Sequence, residues 1–465
     1  MPAKSPLSLR PLRLLPGHRI LALVALLLGA LTRPASAQQE FALGAPVLTL
    51  DEAISLALAG NYSVVNATLG VDKSSASVNA IKTLRLPVLN LGGDLNYSIL
   101  KQPFTVPAGA FGDYPIIGPI PATDTTLGSI DGFFASAAVG VSQPLLQLNK
   151  IGLMVDQAEF EDSISSQGLR NRQQDVVKSV KSQYYEILKT ENTLRATNAS
   201  IAFYRELVKL VDNYVKQQVA QEYELLDTQA RLARAEHSAR SQDNALITQK
   251  ERLNNLMGRD PKTPFRVSEE PPAARAGYPS MADAESIAIA QRPDVHEKVL
   301  KLRQAETGAR ITKADYIPSL NLVMQLTQLF NVDFIPQTNW IVGLQLRWDI
   351  YDWGRKSNDL TKKKADIAQA ANDLDDTRAQ VAIEVDSRIR ELEEAQEMVK
   401  VTEISQAAAT EKLRVLTNQY KQQSALLKDV LQAESELAQA NAEHADAVLS
   451  AWNAQAQLEK ALGQT

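Results

Sequence analysis

Residues 339–355 read NWIVGLQLRWDIYDWGR, and this stretch decides the fold. From its second residue the apolar side chains fall on every other position: Trp340, Val342, Leu344, Leu346, Trp348 and Ile350. Gln345, Arg347 and Asp349 lie between them. A period of two belongs to a β-strand, whose side chains point to opposite faces in turn. Some ten residues of it, apolar on one side and polar on the other, have the length and pattern of a transmembrane barrel strand. The apolar side meets lipid and the polar side meets a lumen. On that reading Gln345, Arg347 and Asp349 face the lumen. Trp340 and Trp348 stand near the two ends, where an aromatic girdle meets the membrane interfaces.

Three more segments alternate in the same way. Leu89, Leu91, Leu95, Tyr97 and Ile99 oppose Asn90, Asp94, Asn96 and Ser98. Phe133, Ala135, Ala137, Val139 and Val141 oppose Ser136, Gly140 and Ser142, and Leu320, Leu322, Met324 and Leu326 oppose Asn321, Gln325 and Thr327. The strands are expected over about 87–101, 131–146, 318–330 and 339–351. An ordinary wet-faced sheet would alternate too, but it leaves the polar face shared by all four strands unexplained. Four strands cannot close a membrane barrel, which takes about eight or more. Open edges in lipid are forbidden, because every backbone group there must be paired. Chains must therefore share one barrel: two would supply eight strands, three would supply twelve.

Those strands recur because the chain repeats itself. Leu50 to Leu91 matches Met281 to Leu322 without gaps at an offset of 231, with Pro87-Val88-Leu89-Asn90-Leu91 over Pro318-Ser319-Leu320-Asn321-Leu322. Further on the offset becomes 205, and Leu253–Gly258 falls on Leu458–Gly463. The first half therefore carries 231 − 205 = 26 extra residues. They fall in the Pro/Gly-rich stretch about 102–129, read as a loop outside the cell. Each repeat reads as a short helix, a strand, a loop, a strand and two long helices. Repeat 1 spans 38–258, a linker 259–280, and repeat 2 281–465.

The long helices are expected over about 150–216 and 222–257, then 355–420 and 426–462. Val180, Ile187, Leu194, Ile201, Val208 and Val215 recur every seven residues, as do Leu360, Ile367, Leu374 and Val381. The phase then moves to Val385, Leu392 and Val399. Sustained sevens mean coiled-coil packing, and the shift marks a local change of supercoil. Ala433, Ala440, Ala447, Ala454 and Ala461 form an all-alanine stripe, where helices can approach closely. These are packing residues. What they create is reach: a barrel joined to helices of this length could cross an outer membrane and most of a periplasm.

Ahead of the repeats, Lys4, Arg10, Arg13 and Arg19 precede the apolar run Ile20–Leu31 and an Ala35-Ser36-Ala37 site. That order reads as a secretory signal peptide over 1–37, cleaved after Ala37. The apolar run is short of the ~20 residues a membrane anchor needs. With its five basic residues removed, 44 basic residues face 54 acidic ones, a net charge of -10. Mild acidity argues against a nucleic-acid partner. The chain has no Cys, which excludes thiol chemistry, Cys-based metal sites and an acylated N-terminal Cys. The mature chain has only His237, His296 and His444, each expected alone on a helix, and carries no P-loop, H-E-x-x-H or G-x-S-x-G. No cofactor, metal site or enzyme activity is expected.

Taken together, the duplicated layout, Asp352-Trp353-Gly354-Arg355 leaving the last strand, and Tyr420 through Asp429-Val430-Leu431 resemble the TolC-like outer-membrane factor family over essentially the whole mature chain. The resemblance implies a mainly α fold with a transmembrane β-barrel. It implies a homotrimer with a twelve-stranded barrel, four strands per chain, continued by a long α-helical coiled-coil tunnel in the periplasm. Such proteins are passive outer-membrane ducts for small-molecule efflux, driven by an inner-membrane pump of the RND, MFS or ABC class through a periplasmic adaptor. Type I protein secretion uses the same duct and is the alternative. A trimeric coiled-coil stalk or adhesin would share the heptads but not the barrel strands. Without an N-terminal Cys, the barrel alone would hold the chain in outer-membrane lipid.

The resemblance also points to the periplasmic tip. Asp429 matches the acid that forms a carboxylate ring in the trimer, and Tyr420 and Glu224 belong to the same constriction. The tip turns that would meet the adaptor depart from the family pattern. Gln218 and Gln423 replace glycine and Gln221 and Leu426 replace serine, while Ala425 stands for a bridging arginine and Gln432 for a second acid.

Overall fold

The computed structural model describes residues 46–268 and 280–464. The expected signal peptide and positions 269–279 of the expected linker lie outside the described residues. The first half runs β1 (Val47–Leu48), α1 (Leu50–Gly60), α2 (Tyr62–Lys82), β2 (Val88–Val106), β3 (Asp113–Tyr114), β4 (Gly118–Pro119), β5 (Thr125–Pro144), α3 (Leu148–Lys216) and α4 (Glu222–Leu256). Then follow β6 (Arg266–Val267), α5 (Met281–Gln291), α6 (Pro293–Ala314), β7 (Ser319–Phe330), β8 (Thr338–Arg347), α7 (Arg355–Lys421) and α8 (Leu427–Ala461).

Each repeat opens with two helices where one was expected. Thr49 caps α1 through a reciprocal box with Glu52. Asn61 then ends it in an extended conformation, caps α2 through the Ser63 amide at 2.9 Å, and donates to the Leu256 carbonyl at 2.8 Å. The two axes bend by 44° at that break. In the second repeat Pro293 does the same work. It holds Arg292 extended and opens α6, since the residue before a proline disfavours the helical region. No single described helix is long and apolar enough to cross a membrane.

β2, β5, β7 and β8 form one antiparallel sheet in that order. Among the described residues neither β2 nor β8 has a second neighbour, so both edges are open. Nor does the apolar face have a core: Leu91 is 79% exposed, Ile99 88% and Leu344 65%. A face this apolar and this bare is unstable in water and suits hydrocarbon.

The 26-residue insertion is mostly strand, not loop. β2 and β5 have 19 and 20 residues against 12 and 10 for β7 and β8. Past an irregularity between Ser98 and Gln102, pairing resumes and continues to Val106 opposite Thr125. Thr105, Val106, Thr125 and Thr126 favour the pleat. Pro103 does not stop it, because β2 is an edge strand, where a missing amide is tolerated. Only 107–124 remain as loop, and β3 and β4 fold part of that into a small hairpin.

α3 and α7 have 69 and 67 residues, ~100 Å each at ~1.5 Å per residue. α3 packs against α4 and α8, and α8 against α7, so the two helical hairpins lie side by side. The heptad positions Val180, Ile187 and Ile201 are buried, as are Leu374, Val381, Val385 and Leu392. Toward the tip the α3 seam drifts to Tyr204, Leu207 and Val211, leaving Val208 and Val215 half-buried. All five alanines of the α8 stripe are buried. Ion pairs Lys181–Glu459 and Lys189–Asp446, with Lys460–Asp175, fix the α3–α8 register. Halfway along α3, β1 and β6 form a two-stranded parallel ladder, so the stretch read as linker contributes a strand. Tyr184 ties it to α3: its hydroxyl donates to the Leu48 carbonyl at 3.0 Å and accepts from the Ser268 amide at 2.9 Å.

Candidate functional site

Two places could act on a passing solute: the polar face of the barrel strands and the tip where each helical hairpin turns. At the tip both turns close in the same way. The Val219 amide donates to the Tyr214 carbonyl and the Ser424 amide to the Gln419 carbonyl, both at 2.9 Å. This six-residue closure needs a left-handed residue just after the helix, a place usually taken by glycine. Gln218 and Gln423 occupy it with φ of 62° and 58°. The two substitutions singled out in the sequence therefore change the residue and keep the turn.

The acids that follow are helix-capping groups in this fold. Glu224 Oε2 accepts from the Gln221 amide at 3.2 Å, and Asp429 Oδ2 accepts from the Leu426 amide at 3.4 Å. Each stands in the first turn of its helix, where a negative charge also meets the helix dipole favourably. Glu224 and Asp429 are both half-buried, whereas Gln218, Gln221, Gln423 and Leu426 are exposed at the end of the shaft.

Tyr420 is 7% exposed and sits in a cluster with Tyr204, Leu207, Val211, Leu427, Val430 and Leu431. Its ring meets Tyr214 edge-on, with centroids 5.7 Å apart. Burial, with the nearby Glu224 charge second, pushes its hydroxyl up to about 12, so it stays protonated at any physiological pH. Tyr214 was not among the expected tip residues. Its hydroxyl donates to the Lys421 carbonyl at 3.4 Å, joining the first hairpin to the second. Tyr214 stands outside the seven-residue stripe that Val208 and Val215 continue, so the periodicity does not mark it. Within one chain, then, Tyr420, Glu224 and Tyr214 come together, while Asp429 engages its own turn.

In the barrel, Gln345 and Arg347 are exposed on β8, but Asp349 lies beyond it. The strand was expected to reach 351 and ends at Arg347. Lys356 Nζ takes the Asp349 carbonyl at 2.9 Å, and Trp353 and Gly354, with φ of 57° and 86°, turn the chain into α7. Arg355 lies 3.8 Å from Asp349 and 3.9 Å from Asp352, so Asp349 belongs to the joint between barrel and shaft. Trp340 is 70% exposed on β8, and Trp348, 54% exposed, lies just past its end. Among the described residues no group of His, Cys, Asp and Glu side chains could hold a metal ion. The His296 and His444 rings engage a backbone carbonyl and Thr402.

An open-edged barrel sheet that continues into two long helical hairpins defines a class: outer-membrane channels with a helical extension. The family model described as outer membrane efflux protein matches residues 53–259 and 285–464, and the chain belongs to that family. Such channels are ducts, not enzymes. Among curated proteins, the chain is similar to the proteases secretion protein PrtF of Dickeya chrysanthemi, 23% identical over 59% of this chain and 61% of that one. It is also similar to the toxin and drug export protein A of Aggregatibacter actinomycetemcomitans, 21% identical over 52% of this chain and 55% of that one. The chain thus spans little more than half the length of these relatives. Among solved structures, the outer-membrane channel OprN shares the fold with a TM-score of 0.72 at 17% identity, covering 90% of each chain.

Proposed function

We propose that three copies of this chain close one twelve-stranded barrel in the outer membrane and one helical tunnel below it, and that this duct exports small molecules. The observation that carries the reading is the pair of open sheet edges. In lipid β2 and β8 must find partners, and β2 of one copy beside β8 of the next satisfies both at three times four strands. The duct is passive. An inner-membrane pump of the RND, MFS or ABC class supplies the energy, and a periplasmic adaptor docks on the exposed tip turns at Gln218, Gln221, Gln423 and Leu426. Asp429 from each copy would form the carboxylate ring at the constriction, with Tyr420 and Glu224 behind it. The barrel holds the chain in the outer membrane.

Type I protein secretion is the second reading, and the name of the Dickeya relative favours it. Drug susceptibility of a deletion strain separates the two. Efflux predicts a drop of several-fold in the inhibitory concentration of at least one toxic compound. Unchanged tolerance together with loss of one secreted protein would sink it in favour of secretion.

A further inference from the structure

The paired ladder of the first hairpin outruns that of the second. Tyr97 and Phe133 face each other across β2 and β5, centroids 4.8 Å apart, and both are 60% exposed, where an upper girdle would lie. Beyond them β2 runs on from Ser98 to Val106. Nine further residues at ~3.3 Å each carry the hairpin ~30 Å onward. The loop between β7 and β8 reaches up to the outer part of this projection and braces it: Phe334 stacks on Phe104 at 5.6 Å and fills the side of Gly128, where any Cβ would stand 2.6 Å from it.

The tip is ordered and apolar at once. The Phe111 amide donates to the Ile120 carbonyl at 2.9 Å, Ile120 to Gly112 at 2.9 Å, and Gly109 to Pro121 at 3.0 Å. The Ala108 amide donates to Asp124 Oδ1 at 2.8 Å. At the apex, the Ile117 amide closes a turn on the Tyr114 carbonyl at 3.2 Å. Such apices ordinarily carry Gly, Asn, Asp or Ser. This one reads Pro115-Ile116-Ile117, with Ile116 98% exposed, Ile117 74% and the nearby Phe111 69%. A fixed backbone that presents three large apolar side chains to water marks a contact surface.

We infer that this surface binds its own copies: the three tips of one trimer meet about the threefold axis above the barrel mouth. The inference rests on the trimeric reading above. Lipid is not the occupant: Val88 to Tyr97 already supplies the ~10 residues a membrane-spanning strand takes, and the tip stands ~30 Å beyond Tyr97 along the strands. The tip stands on β2, the edge strand at the seam between copies, so it continues the barrel interface. Three identical apolar tips on one assembly also meet at a high local concentration that no free partner matches.

The Cys-free chain makes the test clean. An Ile116→Cys variant of the full chain, in intact cells, is oxidised with copper–phenanthroline and run on non-reducing denaturing gels and on native gels. Each thiol pairs once, so the inference predicts up to about two-thirds of chains in a two-chain band, with the native particle still a trimer. Chains that stay single after oxidation, while the native particle is a trimer, overturn the tip contact and leave the trimer standing. So does a native species of six chains, which would mean contact between assemblies. A native particle that is not a trimer overturns both readings.

Discussion

Gly258 meets Gly60 backbone to backbone: a Cβ at Gly258 would stand 1.9 Å from the Gly60 carbonyl oxygen. Its φ of 70° is also left-handed. The end of α4 is thereby locked onto the end of α1, and the second repeat copies the joint: Gly463 has φ 76°, and a Cβ there would stand 2.9 Å from the Gln291 backbone. Gly258→Ala is expected to cost about 1–2 kcal/mol from the left-handed backbone alone, and more from the clash. The heat at which the trimer falls apart on denaturing gels reads this. An unchanged dissociation temperature would show that the joint gives way freely.

The tip turns invite the opposite change. Gln218 and Gln423 hold left-handed backbone that glycine adopts without strain. Gln218→Gly and Gln423→Gly should each stabilise the turn by about 0.5–1 kcal/mol, the relief being partly offset by glycine's greater freedom when unfolded. Slower amide exchange at Val219 and Ser424 would register the gain. Faster exchange would mean that the glutamine side chains contribute something the backbone geometry does not reveal.

Much of this was legible beforehand because it follows from periodicity. The sevens of α3 and α7 and the alanine stripe report faces buried by the chain's own packing, strand alternation reports an apolar face left bare for lipid, and the 231 offset places Val88 and Ser319 at the same strand start. What escaped depends on single residues acting against a pattern. Asn61 breaks a helical run by capping forward. Pro103 survives in a strand because that strand is an edge. The β1–β6 ladder is two residues long on each side, too short for any period to show. At the tip, the sequence located the turns by resemblance, but their left-handed geometry is a matter of φ, and a glutamine does not announce it.

Asp429 has two roles to separate. As a cap it accepts from the Leu426 amide, and in the proposed trimer its charge would face two copies of itself. Asp429→Asn keeps an acceptor and removes the charge, so it should lower cation selectivity, read as a shifted reversal potential across a salt gradient. Asp429→Ala should lose the selectivity and, in addition, about 1 kcal/mol of helix capping. If Asp429→Asn conducts with unaltered selectivity, the carboxylate ring is wrong and the cap is the whole of its role.

Glu434 gives the shaft a pH dependence. It is 2% exposed in α8, and burial raises its pKa, with a hydrogen bond from Ser200 acting the other way. The folded chain thus holds the Glu434 proton more tightly than the unfolded chain, whose ordinary value is 4.5. Its contribution is fully present below that value and is lost as pH rises through the higher folded one. Glu434→Gln keeps the shape and cannot ionise. It should therefore match the parent near pH 4 and unfold at a higher temperature than the parent by pH 8, with the gap opening as pH rises. Thermal melts of the detergent-solubilised channel across that range check it, and a gap of the same size at every pH would mean that packing, not ionisation, separates the two side chains.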